Sequence, residues 1–317
     1  MESYYSHGKL LLTGEYVVLD GANALAVPTR LGQGLRIDNG FDDKLHWKSF
    51  DYTKKLWYEA KFSITNNNIS ALSNSNSDIT SRLLQILTAA KTLNPNFLNQ
   101  NNGLVAISTT EFPKDWGLGT SSTLINNIAN WARVDAYKLL QATFGGSGYD
   151  IACAEAEKSL TYQLVPFNSN KTTKGVEGNH TPIVKTVNFN PVFEKHLYFV
   201  YLNQKQNSRD GIAQYRANTS NLSSYISRVT QITKEMIACT TLDGFQQLMG
   251  EHEQLISTII KQVPVRERLF SDFTGSIKSL GAWGGDFVMV ASHEDPTSYF
   301  KTKGFDTILN YSEMVRN

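Results

Sequence analysis

The sequence predicts a two-lobed protein of mixed α and β structure, and three observations carry that reading. At 317 residues the chain exceeds what one compact core usually holds. Short apolar runs bounded by Gly, Pro or Asp-Gly read as strands. They are mixed with longer stretches in which apolar residues recur every three or four positions, as on one helix face. Finally, Leu197-Tyr198-Phe199-Val200-Tyr201-Leu202 is the clearest buried strand in the chain. It starts a second apolar set and puts the lobe boundary just before it, giving lobes of 1–189 and 190–317.

Taken in order, Leu10-Leu11-Leu12 is a strand ending at Gly14. Tyr16-Val17-Val18-Leu19 reads as a second strand stopped by Asp20-Gly21, and residues 24–27 as a third closed by Pro28. Residues 35–64 scatter Trp, Tyr and Phe among polar residues, as antiparallel strands with one wet face do. Residues 65–77 are almost wholly Asn and Ser and read as a surface loop. From Asp78 the pattern turns helical, with Ile79, Leu83, Leu84 and Leu87 on one face and Asp78 or Thr80 as cap. A strand at 104–108 leads to a loop with Pro113, Gly117 and Gly119, and then a long helix runs from about 121 to 140. After Gly145-Gly146-Ser147-Gly148 another helix starts, and polar residues 166–182 suit a loop or hairpin. Beyond the boundary, helical patterns cover roughly 211–239 and 242–261. A glycine-rich turn at 281–285, a strand over 287–291 and a last helix near 296–310 complete the chain.

Charge excludes some partners. Lys and Arg total 30 against 29 Asp and Glu, a net charge of +1. That balance offers no electrostatic case for nucleic acid or a membrane surface, so any anionic ligand must be held by a local site. Cys153 and Cys239 form no disulfide framework and no zinc spacing, and Cys153 in a small-residue run reads as a buried, inert thiol. The opening Met1-Glu2-Ser3-Tyr4 lacks a basic leader, and the apolar stretches are too short to span a bilayer. The expectation is a cytoplasmic protein, monomer or homodimer.

Three glycine motifs punctuate this order. Trp116-Gly117-Leu118-Gly119-Thr120-Ser121-Ser122 follows a strand and opens a helix. Glycines there let a ligand approach the backbone, and the helix start adds unsatisfied N–H groups and the positive dipole end. Three hydroxyls add donors for phosphate oxygens or one ligand for Mg²⁺. Read alone, the motif is equally a Ser/Thr-capped helix after a flexible loop. No G-x-x-x-x-G-K-S/T occurs, which excludes a P-loop. The second motif, Gly145-Gly146-Ser147-Gly148-Tyr149-Asp150-Ile151-Ala152, sets a carboxylate just after a glycine turn. A catalytic base, a metal ligand and a silent first-turn Asp all fit there. The third, Gly281-Ala282-Trp283-Gly284-Gly285-Asp286, is by itself a tight turn before an edge strand. Near the N-terminus Lys9 stands between Gly8 and apolar residues, ahead of Gly14-Glu15-Tyr16. Burying an ammonium without a partner is costly, so Lys9 is either an exposed edge lysine or one with a task.

In this order the four features resemble the motif regions of the GHMP kinases, the superfamily of galacto-, homoserine, mevalonate and phosphomevalonate kinases. The family's P-G-K-x-x-x-x-G-E-H/Y is similar to His7-Gly8-Lys9-Leu10-Leu11-Leu12-Thr13-Gly14-Glu15-Tyr16, and its G-L-G-S-S-A to residues 117–122. Its C-terminal glycine motif is similar to residues 281–285. Three details lean toward phosphomevalonate kinase: Gly-Glu-Tyr at 14–16, the GYDIA-type segment at 148–152, and a last motif close to G-A-G-G-G-D. The residues 134–144 hold no Glu like the metal-binding one of mevalonate kinases. Departures are Trp283 in place of a glycine, where an indole either occupies the turn or swings away, and Ser122 in place of a small apolar residue. The acceptor segment G-W-T-x-x-P-A-S-S/T is matched at 201–209 only by its place after a strand and by Ser208.

The resemblance implies an α+β fold with a ribosomal protein S5 domain 2-like N-terminal lobe and a ferredoxin-like C-terminal lobe. It implies phosphoryl transfer from ATP, with Mg²⁺, to a small anionic acceptor such as phosphomevalonate. Gly117, Leu118, Gly119, Thr120, Ser121 and Ser122 would then cradle the triphosphate, with Ser121 as Mg²⁺ ligand. Asp150 would orient or deprotonate the acceptor, and Lys9 would lie on the acceptor side. Gly148, Tyr149, Lys205, Ser208, Arg209, Gly284 and Gly285 would bind the acceptor, although Lys205 and Arg209 also fit a solvated pair at a strand end. Glu15 is expected to partner a nearby cation. A mevalonate, sugar or other small-alcohol kinase, an ATP-dependent decarboxylase, and a degenerate nucleotide-binding protein are the alternatives.

Overall fold

The computed structural model describes residues 1–65, 68–99, 103–166, 180–205, 208–218, 222–283 and 285–316, leaving out the side chains of 208–210 and 218. The N-terminal part contains β1 (Glu2–Leu11), β2 (Ala24–Asn39), β3 (Lys44–Phe50), β4 (Leu56–Thr65), β5 (Asn68–Asn74), α1 (Ser77–Leu93), β6 (Leu104–Thr110), α2 (Thr120–Ala132), α3 (Ala136–Thr143), α4 (Tyr149–Glu155), β7 (Leu160–Pro166) and β8 (His180–Thr186). The C-terminal part contains β9 (Leu197–Tyr201), α5 (Ser208–Asn218), α6 (Ser223–Ala238), α7 (Leu242–Ile260), α8 (Val265–Leu269), β10 (Ser276–Ser279), β11 (Phe287–Ala291), α9 (Thr297–Thr302), β12 (Ile308–Asn310) and α10 (Tyr311–Met314).

The first sheet has eight strands in the order β5-β4-β3-β6-β2-β7-β8, with β1 on β2, and the second has four, β10-β11-β9-β12. Pairing is antiparallel except between β3 and β6. Helices α1 to α4 cover the large sheet; Ile125, Ile128, Ala129 and Ala132 form the stripe that α2 buries against it. In α7, Phe245, Met249, His252, Ile256 and Ile259 are buried at alternating spacings of four and three. One apolar cluster joins Leu10, Leu12, Leu25 and Val27 to Phe199, Met249, Phe287 and Tyr311, so the two sheets share a core. The chain end closes it: Arg316 N–H donates to the Pro28 carbonyl, and Thr29 bridges Val315.

Several sequence expectations are corrected. Tyr16-Val17-Val18-Leu19 is no strand: Gly14 (φ 86°) and Tyr16 (φ 64°) turn the chain into a single 3₁₀ turn at Val17–Asp20. Its valines are apolar because they are buried there, not because they are extended. β2 passes through Pro28, which sits opposite Lys9 where the β1 register shifts, so the missing N–H falls at an irregularity. The Asn/Ser stretch contains β5, an edge strand whose side chains are exposed apart from Ile69, and its polarity reflects that edge. The cap of α1 is Asn76, which accepts from Asp78 N–H and Ile79 N–H. The long helix breaks at Arg133 (φ 55°), and Asp135 caps α3. The 211–239 pattern is two helices, α5 and α6, and the 296–310 helix is α9 followed by β12. The middle of the 166–182 loop, residues 167–179, lies outside the described residues.

Candidate active site

The glycine loop is fastened to β1. Lys9 N–H, freed by the register shift, donates to the Leu118 carbonyl at 3.0 Å, and Lys9 Nζ donates to the Gly117 carbonyl at 2.8 Å. Leu118 is fully buried and anchors the loop in the shared core. The glycines are required by what surrounds them. A Cβ on Gly117 (φ 67°) would stand 2.4 Å from the Asp286 carboxylate, and one on Gly119 (φ 93°) 3.0 Å from Ser122 Oγ and 3.3 Å from the Lys9 stem. No side chain caps α2 at Gly119, so its first-turn amides have no capping acceptor among the described residues. Thr120 is half-buried and Ser121 exposed, whereas Ser122 is buried, its hydroxyl 3.1 Å from the Gly119 carbonyl and 3.4 Å from Asp150 Oδ2.

Asp150 stands in the first turn of α4, which also starts from a left-handed glycine, Gly148 (φ 85°), without a side-chain cap. The turn before it is held by Tyr162, whose hydroxyl donates to the Ser147 carbonyl. Packing of Tyr137 and Tyr162 leaves no room for a Cβ at Gly148. The Tyr149 ring lies 5.7 Å from Lys9 Nζ, and burial holds its phenol neutral, well above its ordinary pKa. Burial likewise pushes the Cys153 thiol up, in keeping with an inert core residue. Two helix starts, Lys9 and Asp150 thus converge.

The third motif joins them through Asp286 beside Gly117. Asp286 is locked by backbone bonds, its N–H to the Gln204 carbonyl at 2.6 Å and its carbonyl to Leu202 N–H at 2.8 Å. Trp283 does not occupy the turn. It takes φ 55° and sends its indole into a core of Tyr16, Tyr215, Val229, Ile256 and Ile259, 1% exposed, with no hydrogen-bond partner for Nε1 among the described residues. Tyr16 O–H donates to the Ala282 carbonyl at 2.8 Å, tying the first motif to the third. Gly285 is buried, and Gly284 lies outside the described residues. Lys205 Nζ donates to the Lys114 carbonyl at 3.3 Å, ahead of the glycine loop. Ser208 and Arg209 open α5, and their side chains lie outside the described residues.

Glu15 has the cation expected of it. Lys278 Nζ donates to Glu15 Oε1, both side chains fully buried. His252 Nε2 accepts from Gly14 N–H at 3.0 Å and lies 3.4 Å from Glu15 Oε2. Glu253 accepts from Ser279 N–H at 3.0 Å and Ser279 Oγ at 2.6 Å. Burial raises the Glu15 carboxyl, pushes Glu253 up to about 7 and drives the His252 imidazole well below its ordinary range. The signals for this network were the lysine inside the short run Ser276–Ser279 and His252-Glu253 on the apolar face of α7.

Sequence reasoning found no base-binding residues. Beside the glycine loop the structure has a cavity of about 390 Å³, walled by Trp47, Trp57, Ile79 and Leu83 and reaching Thr120 and Ser121. Two of its lining residues, Trp57 and Thr110, each hold a buried polar atom, Nε1 and Oγ1, without a hydrogen-bond partner among the described residues.

No protein-family model matches the chain, and no curated protein matches it significantly. Solved structures do. The two sheets and their connections are those of the two-lobed GHMP kinase fold, and this chain has that fold. It is similar to the Streptococcus pneumoniae phosphomevalonate kinase in complex with phosphomevalonate and AMPPNP (TM-score 0.67, 15% identity, 98% of this chain and 100% of that one). It is similar to the Methanococcus jannaschii mevalonate kinase (0.65, 15%, 98% and 97%) and to the Lactococcus lactis galactokinase complexed with galactose (0.64, 12%, 95% and 88%).

Proposed function

We propose that the protein is an ATP-dependent phosphotransferase of the GHMP type acting on a small acceptor, with phosphomevalonate the first candidate. The observation that carries this reading is the convergence of two uncapped helix starts with Lys9 and Asp150 beside a cavity of about 390 Å³ that reaches Thr120 and Ser121. In the proposed scheme the base enters the cavity and the phosphates lie on the amides and hydroxyls at 119–121, where fixed N–H dipoles offset their charge. Asp150 accepts or orients the acceptor proton. Lys9, rigid between Gly117 and Tyr149, offsets charge on the acceptor side.

Among the described residues no cluster of three His, Cys, Asp or Glu forms a metal cage. That suits Mg²⁺, which is usually held by one or two protein oxygens together with phosphates and water. The exposed Ser121 hydroxyl and the Asp150 carboxylate are the fitting donors; the ion would supply neutralisation of phosphate charge.

A coupled ADP-release assay tests the proposal, with 5-phosphomevalonate offered first, then mevalonate and galactose. Turnover with 5-phosphomevalonate above the others is the expected result. Turnover with another acceptor retains the phosphotransferase and replaces the substrate; AMPPNP binding without turnover on any acceptor would leave a nucleotide-binding protein.

A further inference from the structure

Lys114 stands six residues before Thr120 and lines the same cavity as Thr120 and Ser121. Its ammonium lies 3.5 Å from the centroid of the Trp57 ring, the indole that walls the cavity. Among the described residues it has neither a hydrogen-bond acceptor nor an ion-pair partner. Burial lowers its pKa, and the charge of the neighbouring Lys205 adds to that, while the carboxylates of Asp51 and Asp115 act against it. Lys205 comes from just beyond β9, in the C-terminal part of the chain, and donates to the Lys114 backbone carbonyl.

Two lysines from distant parts of the chain are therefore brought together, with Lys114 on the cavity lining. Of the acidic groups near them, Asp51 is engaged by its own turn, accepting from Thr53 and Lys55. Like charges gathered this way repel unless an anion joins them. The other cations near the site are committed. Lys9 is bonded to the Gly117 carbonyl, and Arg82 donates to Gln85 and lies over Phe144. An exposed lysine resting on a tryptophan face is held only weakly, so Lys114 can leave Trp57 at little cost.

Resting on the nucleotide reading above, we propose that Lys114 is a nucleotide-positioning residue. It leaves the face of Trp57 when the donor binds and pairs with the donor's phosphates, and Lys205 reinforces the same charge from the other lobe. The glycine loop contains no lysine of its own between 115 and 122, and Lys114 supplies the missing cation from the loop's beginning.

The test is binding of AMPPNP and of adenosine to the unaltered protein, Lys114→Met and Lys114→Arg, by calorimetry with Mg²⁺ present and no acceptor. Methionine keeps the packing on Trp57 and removes the charge. Lys114→Met is expected to weaken AMPPNP binding about tenfold or more, in line with loss of one charge-assisted phosphate contact, and to leave adenosine binding unchanged. Lys114→Arg is expected to restore most of the loss. Equal AMPPNP affinity in Lys114→Met, or an equal loss for adenosine, would overturn the phosphate role while the nucleotide site stands. Absence of AMPPNP binding by the unaltered protein would overturn the nucleotide reading and this inference with it.

Discussion

Asp150 and Trp283 show how far single residues depend on what surrounds them. Asp150 owes its position to Gly148, since the left-handed residue ahead of α4 turns the carboxylate toward Ser122 and α2. If it is the group that handles the acceptor proton, Asp150→Asn should lower kcat by about 10²-fold or more while the AMPPNP dissociation constant stays the same. Calorimetry alongside steady-state kinetics separates the two effects, and a parallel loss of nucleotide affinity would place Asp150 among the phosphate contacts. Trp283 is a residue whose letter misleads. In the motif it reads as an obstruction, yet its indole fills the core beneath Tyr16 and leaves the turn to backbone. Trp283→Phe keeps most of that volume and removes an unpartnered N–H, so its thermal midpoint should stay close to the parent's. Trp283→Ala should cost about 3–5 kcal/mol through the cavity it opens. A large destabilisation by phenylalanine would mean that Nε1 has a partner in solution.

Among the elements, β10 and the segment after β1 are coupled by a charge pair that the apolar core encloses. Lys278 and Glu15 are both fully buried, and removing one partner leaves the other charged in a dry site. Lys278→Met should destabilise by about 3–5 kcal/mol, while the double variant Glu15→Gln with Lys278→Met should recover much of that loss. Urea midpoints of the two single variants and the double variant measure it, and additive losses would show that the pair is not coupled. This pairing marks the limit of what the sequence made legible. Motif residues were readable because glycines at 117, 119 and 148, and a lysine at 9, are conspicuous in their own short segments. The strand over 197–201 was readable as an unbroken, β-prone apolar run, and the helix over 242–260 because its apolar residues keep one period throughout. The 16–19 turn was not, because burial without periodicity looks like a strand. The β5 edge was not, because polar letters hide extended backbone. The cavity was invisible for a further reason: most of its wall is assembled from β3, β4, β6 and α1, which carry no motif, and only its edge at Thr120 and Ser121 belongs to one.

For the whole molecule, the consequence of that network is a dependence of stability on pH. Glu15 comes from the N-terminal part, and His252, Glu253, Lys278 and Ser279 from the C-terminal part, so their protonation states report the closure of the shared core. The Glu253 carboxyl, raised to about 7 by burial, keeps its proton in the folded chain at pH values where the unfolded chain, near the ordinary 4.5, has lost it. Folded protein therefore binds more protons between those limits, and this contribution is complete below pH 4.5 and lost as pH rises through 7. Glu15 acts in the same direction. His252 opposes it, since an imidazole held neutral by burial makes stability rise with pH up to its ordinary value of 6.5. The opposing terms make the raw profile of the unaltered protein uninformative, and the difference from Glu253→Gln is the useful quantity. The stability advantage of the unaltered protein over Glu253→Gln should shrink across pH 4.5–7 with a slope approaching about 1.4 kcal/mol per pH unit. Chemical denaturation of both proteins across that range measures it, and a constant difference would show that Glu253 ionises in the folded protein as it does in water.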